Sequence, residues 1–186
     1  MKSTRIEPPA KRGGDYWIIS FSAICNSYRQ NDLEIIDQKI KELKEKATNS
    51  PQTISKNMYQ KNISNLQTYK SLDLKSLRPA GKLSFLKKSS GHSLLTIKGL
   101  EIQAKPSQIF TFGNKEVENI EAIWLVAKAN VYRIEELGMF CEMLYRFSAT
   151  TIQKNMSFYR GTLSQWTLSV GAVQIMLILK LEHFHH

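Results

Sequence analysis

The sequence predicts an α+β domain in which basic N-terminal helices, two of them forming a helical hairpin, pack with a small, mainly antiparallel sheet of three or four strands that one long helix covers. Two observations predict this class. Apolar residues recur at steps of three and four through residues 15–70, as in helices with one buried face. Residues 93–147 instead combine segments of alternating polarity, an almost continuous apolar run and a final helical stripe. A chain of 186 residues can bury such a core without disulfides or metal ions.

The helical part follows a flexible basic lead, residues 1–14, that contains Pro8-Pro9 and Gly13-Gly14. Ordered structure is expected from Tyr16 and Trp17 onwards, and residues 17–20 could alternatively open as a short strand. The first predicted helix buries a stripe made of Ile18, Phe21, Ile24 or Cys25, and Tyr28. Its period predicts a helix packed on one side.

Two further helices are predicted to form an antiparallel hairpin because a short polar turn joins them. Asn31 or Asp32 can cap the first, whose inner stripe is Leu33, Ile36, Ile40 and Leu43. Ser50 and Pro51 are predicted as the N-cap and first residue of the second, which runs to about Tyr69. Its inner side is expected to carry Tyr59, Ile63, Leu66 and Tyr69 or Lys70, and the outer face of the hairpin to carry Lys39, Lys44, Lys46, Lys56 and Lys61.

The sheet follows a basic connector, residues 71–92, which Pro79, Gly81 and Gly91 keep irregular. We expect a first strand around Leu94–Ile97 bent by Gly99, a half-buried alternating strand at 100–104, and a third strand at 109–112. The apolar run 120–126 predicts an inner strand. The covering helix starts near Ile134, with a stripe formed by Ile134, Leu137, Phe140 or Cys141, Leu144 and Phe147.

The C-terminal region loses this regularity. Residues 143–181 contain no Asp or Glu, and their polar residues show no sustained period. We therefore treat 148–180 as a segment of uncertain origin, which an out-of-frame reading of the gene would explain and sequencing of the parent gene would decide. The apolar run at 170–181 is too short to span a bilayer and favours a buried strand or core helix. Residues 181–186 are interpreted as a purification-tag remnant.

The net charge of +10 is concentrated in the first half of the chain. Residues 1–90 hold 17 Lys and Arg against 8 Asp and Glu. Such a surface predicts salt-sensitive binding of a polyanion, with nucleic acid as the expected partner. The candidate contacts are Lys11, Arg12, Lys82, Lys87 and Lys88, and the aromatic residues among them that could stack on bases are Tyr16, Trp17, Tyr59 and Tyr69. The alternative is a solvated surface with Tyr59 and Tyr69 packed in the core.

Several chemistries lack the residues they need. Outside the interpreted tag, His92 is the only histidine, which argues against histidine-based catalysis and zinc sites. No glycine-rich phosphate loop is present.

The cysteines and the lack of targeting segments indicate a location. Cys25 and Cys141 lie far apart in the sequence and are expected to stay reduced. Together with the absence of a signal peptide or a spanning segment, this predicts a cytoplasmic protein without a membrane partner. We expect no cofactor and no metal.

One enzymatic alternative is open. A strand, turn, strand and helix with a lysine ending an inner strand is similar to the layout of the metal-dependent nucleases of the PD-(D/E)xK kind, whose carboxylates bind Mg²⁺. Here Pro106 is followed by Ser107 rather than Asp, and Val126 stands two residues before Lys128 where that layout has an acid. A diverged or inactive site would use Glu118 or Glu121 with Lys128. A third alternative is a scaffold module that binds other proteins.

Overall fold

A computed structural model describes residues 16–72, 78–86, 94–113, 118–127 and 133–147, and the backbone of residues 161–170 and 174–183. Within these ranges the chain forms an α+β fold, as the sequence predicts. Its elements are α1 (Ile18–Gln30), α2 (Glu34–Asn49), α3 (Thr53–Ser71), β1 (Ser84–Phe85), β2 (Leu94–Ile97), β3 (Leu100–Gln103), β4 (Gln108–Gly113), β5 (Glu118–Ala127), α4 (Ile134–Phe147), β6 (Gly161–Val170) and β7 (Gln174–His183).

The main sheet is antiparallel, with the strand order β1-β4-β5-β7-β6, and β2 and β3 form a separate hairpin. The inner position predicted for the apolar run is confirmed, because β5 pairs with β4 on one side and with β7 on the other. The sheet exceeds the predicted three or four strands because β6 and β7 add to it. They come from the segment whose origin the sequence leaves open, and β7 continues to His183. The origin of these residues stays a prediction.

The residues on the two faces of the main sheet are buried in two different hydrophobic clusters, because successive residues of a strand point to opposite sides. Phe110, Ile123 and Leu125 are buried together with residues of α1, α2 and α3. On the other face, Ile120 is buried with residues of α4 and of the β2–β3 hairpin. The ring of Trp124 meets the ring of Phe140 edge-on, with centroids 5.6 Å apart. The long helix therefore covers the sheet as predicted, and the three N-terminal helices cover the opposite face.

The helical hairpin forms, but its second helix, α3, begins later in the sequence than predicted. Asp32 accepts a 2.8 Å hydrogen bond from the backbone N–H of Glu34, so it satisfies a donor of the first turn of α2. Ser50, in contrast, is not the N-cap of α3. Ser50 is extended, as an N-cap residue or a residue before a proline usually is, but the chain is still extended at Gln52, which takes the N-cap position. The helix consequently begins at Thr53, three residues after Ser50.

The buried face of α1 includes Ile24 and Tyr28, with Phe21 and Cys25 packed on the same core as predicted, but it differs from the prediction at its first residue. Ile18 is 57% exposed, and the residues of α1 that are buried are Ser20, Ala23, Ile24, Ser27 and Tyr28. Hydrophobicity alone favours the isoleucine as a core residue. The helix is instead oriented by hydrogen bonds that α3 offers to Ser20, so a small polar residue is buried and Ile18 lies outside.

The region around Gly99 forms a turn between two strands. Lys98 and Gly99 have φ angles of 48° and 82°, and they connect β2 to β3. Gly99 therefore does not bend or bulge the first strand as predicted; it lies in the turn between the two predicted strands, because positive φ at two successive residues reverses the chain. Leu100 is 68% exposed at the turn end of the hairpin, whereas the paired Leu95 and Ile102 reach the core.

Candidate nucleic-acid interface

The structure describes only part of the predicted contact set. Lys11, Arg12, Lys87 and Lys88 lie outside the described residues. Lys82 is described, and it is exposed in the segment that leads into β1. That segment belongs to the predicted irregular connector, yet its end is held to the sheet. Phe85 pairs with Phe110, and the backbone N–H of Leu86 donates a 2.9 Å hydrogen bond to the carbonyl of Ile109.

Two arginines lie beside this edge strand. The guanidinium of Arg29 is 5.2 Å from the centroid of the Phe85 ring, and that of Arg78 is 5.0 Å from the centroid of the Tyr28 ring. Arg78 also donates a hydrogen bond to the carbonyl of Tyr28. Both rings pack on Phe110, at centroid distances of 5.7 Å for Tyr28 and 5.3 Å for Phe85. The two guanidinium groups therefore border one aromatic cluster.

We call Arg29, Arg78, Lys82 and Phe85 the basic edge. Arg29 is not among the predicted contacts, and a basic residue in the last turn of a helix is already accounted for by the helix dipole. Its contact with Phe85 joins residues 56 positions apart, and no local pattern announces it. Arg29 and Lys82 are exposed, while Phe85 and Arg78 are half-buried. The basic edge thus combines accessible cations with a ring that is already partly covered.

The lysines of the helical hairpin are unevenly distributed. The α2 sequence contains four lysines and four acidic residues, and Lys39 bonds to Glu42 at 2.5 Å. The hydrogen bond from Lys39 holds the pKa of Glu42 below its ordinary value. The α3 sequence contains Lys56, Lys61 and Lys70 and no acidic residue. The positive excess of the hairpin therefore belongs to α3, although Lys70 bonds to Asp37 of α2 at 2.5 Å.

The aromatic residues proposed for stacking have different accessibility. Tyr69 is 2% exposed and belongs to the core, where burial raises the pKa of its phenol to about 12. Tyr59 is half-buried against the same core. Tyr16 and Trp17 are half-buried, with their rings edge-on at 5.1 Å, and the ammonium of Lys61 is 5.7 Å from the centroid of Tyr16. Core packing therefore accounts for Tyr69, and the accessible rings lie at the start of α1.

The structure describes only some of the residues predicted for the nuclease alternative. Glu121 is 4% exposed, and its register with Phe110 places it on the face that α1–α3 cover. Glu118 begins β5 opposite Gly113 with its side chain outside the description, and Lys128 lies beyond the described residues. Ser107 binds the backbone of β5: its Oγ accepts from the N–H of Leu125 at 2.9 Å. In the described ranges, no group of three or more His, Cys, Asp or Glu residues is placed to hold a metal ion.

Comparison of the chain with protein-family models, with curated proteins and with solved structures found no match. Across the part of the chain that the structure describes, every helix is either too short or too polar to cross a membrane.

Proposed function

We propose that the chain is a non-catalytic interaction domain for polyanions, with nucleic acid as its partner. The observation that supports this best is the basic edge, where Arg29 lies over Phe85 at 5.2 Å beside the exposed Lys82. In the sequence, Lys87 and Lys88 follow Leu86, the residue after β1. The fold brings Arg29 onto the strand into which the Lys82 segment leads, although 53 positions separate these two cations in the sequence.

The geometry of the arginines suits a phosphate ligand. A guanidinium that stacks on a ring uses its flat face for that contact, and its N–H groups point outward in the plane. Those N–H groups can bind phosphate oxygens in pairs, and the ring restricts the rotamers that the side chain would otherwise lose on binding. The guanidinium carbon of Arg29 lies 5.2 Å from the centroid of the Phe85 ring, within the range of such a contact. Lys82 would add a charge contact without directional preference.

The remaining predicted contacts, Lys11, Arg12, Lys87 and Lys88, would extend the same interaction from neighbouring segments. A nucleic-acid partner is consistent with a cytoplasmic location, which we retain as part of the proposal. Cys25 and Cys141 are not joined in a disulfide, in agreement with a reducing compartment.

Fluorescence anisotropy with a labelled single-stranded DNA of 20 nucleotides, at 50 and 200 mM salt, tests the proposal. We expect affinity to fall steeply with salt, and the Arg29→Ala/Lys82→Ala double variant to reduce the slope of log K against log salt by about 1.5, since each phosphate contact contributes about 0.7–0.9. Lys41→Ala/Lys44→Ala, which removes the same charge from exposed positions of the balanced helix α2, is the matched control. Absence of binding at 50 mM salt, or an equal effect of both double variants, would reject the basic edge as the binding surface.

A further inference from the structure

The exposed face of α3 carries a regular polar stripe. Six exposed residues with amide or hydroxyl side chains follow one another at steps of four and three along the whole helix: Thr53, Asn57, Gln60, Ser64, Gln67 and Ser71. Residues at such steps lie on one line of an α-helix, which here extends over roughly 27 Å. We call these six residues the α3 polar stripe.

The orientation of this stripe is fixed by the opposite side of the helix. Ile63 and Leu66 are 1% and 0% exposed in the core shared with α1, α2 and the sheet. Asn62 and Asn65 bind α1 through hydrogen bonds. Because these contacts use the inner half of α3, the polar stripe lies on the outer half and is available to a partner.

Lysines flank the α3 polar stripe on both sides. At 100° per residue, Lys56 and Lys61 lie roughly 60–80° to either side of its centre line. The ammonium of Lys61 lies near Tyr16, on the α1 side. Lys70 lies on the α2 side, where Asp37 binds it. Since residues 53–71 contain no Asp or Glu, the helix presents neutral hydrogen-bonding groups between positive borders.

This composition is not the one that solvent exposure alone favours. Asn, Ser and Thr are weaker helix formers than Glu, Lys or Ala, because their side chains compete for backbone hydrogen bonds. The neighbouring α2 has a more ordinary surface with four lysines and four acids. The α3 polar stripe also lacks the Trp, Tyr and Arg anchors typical of strong protein–protein contacts.

We propose that α3 reads duplex DNA from the major groove, with the α3 polar stripe against the base edges and Lys56 and Lys61 at the two bordering phosphate backbones. Asn and Gln amides can bind adenine through two hydrogen bonds, and hydroxyls can bind several base edges. The B-form major groove admits an α-helix, whereas the deep and narrow major groove of A-form RNA does not. The inference rests on the proposed function, because it specifies which nucleic acid is bound.

The test has two steps. The full chain first selects binding sites from 30-base-pair DNA duplexes with a randomised centre. Fluorescence anisotropy then measures its affinity for the selected duplex, for a scrambled duplex and for an RNA duplex of the selected sequence. We expect the selected duplex to bind at least about 10-fold more tightly than the scrambled one. Gln60→Ala/Gln67→Ala should abolish most of this preference and leave the salt dependence unchanged, since no charge is removed. Gln30→Ala/Gln38→Ala, at exposed positions of α1 and α2, is the matched control and should keep the preference.

The outcomes separate the two proposals. Loss of preference in the α3 variant alone, with unchanged urea unfolding, supports groove reading. Binding without any selected sequence, preference that survives in Gln60→Ala/Gln67→Ala, or equal affinity for the RNA duplex overturns groove reading and leaves polyanion binding in place. No binding to any of these duplexes or to the labelled single strand at 50 mM salt overturns both.

Discussion

The backbone N–H of Ser20 in α1 donates a 3.0 Å hydrogen bond to Oδ1 of Asn62 in α3, 42 residues further along the chain. The Nδ2 group of the same asparagine donates to the carbonyls of Tyr16 and Met58, both at 2.9 Å. Asn62 is fully buried, so its amide replaces water at three backbone groups. This single side chain ties the start of α1 to α3.

Replacement of Asn62 by Ala should lower the free energy of unfolding by about 2–4 kcal/mol, because it leaves the Ser20 N–H and the Tyr16 carbonyl without their buried partner. Urea denaturation measures the loss. Asn57→Ala, in the same helix but at an exposed position, is the matched control and should change stability by less than about 0.5 kcal/mol. A loss below 1 kcal/mol for Asn62→Ala would show that water reaches these groups.

Two buried tyrosines should respond in opposite directions to removal of their hydroxyls. The Tyr28 hydroxyl is buried and has no hydrogen-bond partner among the described residues, so Tyr28→Phe should be neutral or stabilise the protein by up to about 1 kcal/mol. The Tyr69 hydroxyl shares a hydrogen bond with Ser27, and Tyr69→Phe should cost about 1 kcal/mol. Thermal unfolding of both variants measures the difference. Equal effects would contradict the assignment of the two hydroxyls.

Stability should fall as the pH rises above 10. Burial, together with the nearby Glu121, raises the pKa of Tyr28, and burial raises the pKa of Tyr69 to about 12. In the unfolded chain both phenols ionise near pH 10, so the unfolded state loses protons first. Stability present below pH 10 is therefore lost at roughly 1 kcal/mol per pH unit for each phenol, until the folded state ionises too.

Urea unfolding between pH 9 and 11.5 measures this decline. Lysines also titrate in this range, so the informative quantity is the difference between the parent protein and Tyr69→Phe. The excess stability of the parent over Tyr69→Phe should fall as the pH rises and reverse its sign at about pH 11, because only the parent loses the stability that is linked to this buried phenol. A difference that stays constant with pH would mean that Tyr69 ionises as readily in the folded chain as in the unfolded one.

Replacement of glycine by alanine should have opposite effects on stability in the β2–β3 turn and inside α4. Gly99→Ala should destabilise by about 1 kcal/mol, because a Cβ disfavours the φ of 82° even though no atom lies within 4 Å of it. Gly138→Ala, at an exposed position inside α4 with equally open space, should instead stabilise by about 0.5–1 kcal/mol. Urea denaturation of the two variants measures both effects. Effects of the same sign would refute the assigned turn conformation.

The basic edge illustrates what could not be predicted for the candidate site. Lys82 stands out in sequence because it lies in a lysine-rich connector. Arg29 and Phe85 do not, since one looks like a helix-terminal cation and the other like a core residue. They meet only because α1 packs on the face of the sheet that β1 borders. The polar stripe of α3, by contrast, was readable from spacing once the helix boundaries and its buried face were known.

The sequence by itself determined the α+β class, the helical hairpin, the inner strand and the covering helix, because each depends on a local period of apolar residues that burial requires. The start of α3 and the turn at Gly99 are local backbone features that the sequence pattern misplaced. Only the tertiary structure decided that Ser20 rather than Ile18 is buried at the start of α1 and that Arg29 meets Phe85. A hydrogen bond or ring contact from a distant element outweighs the hydrophobicity of a single residue there. Such contacts depend on what the rest of the chain brings near, and a local pattern does not contain that information.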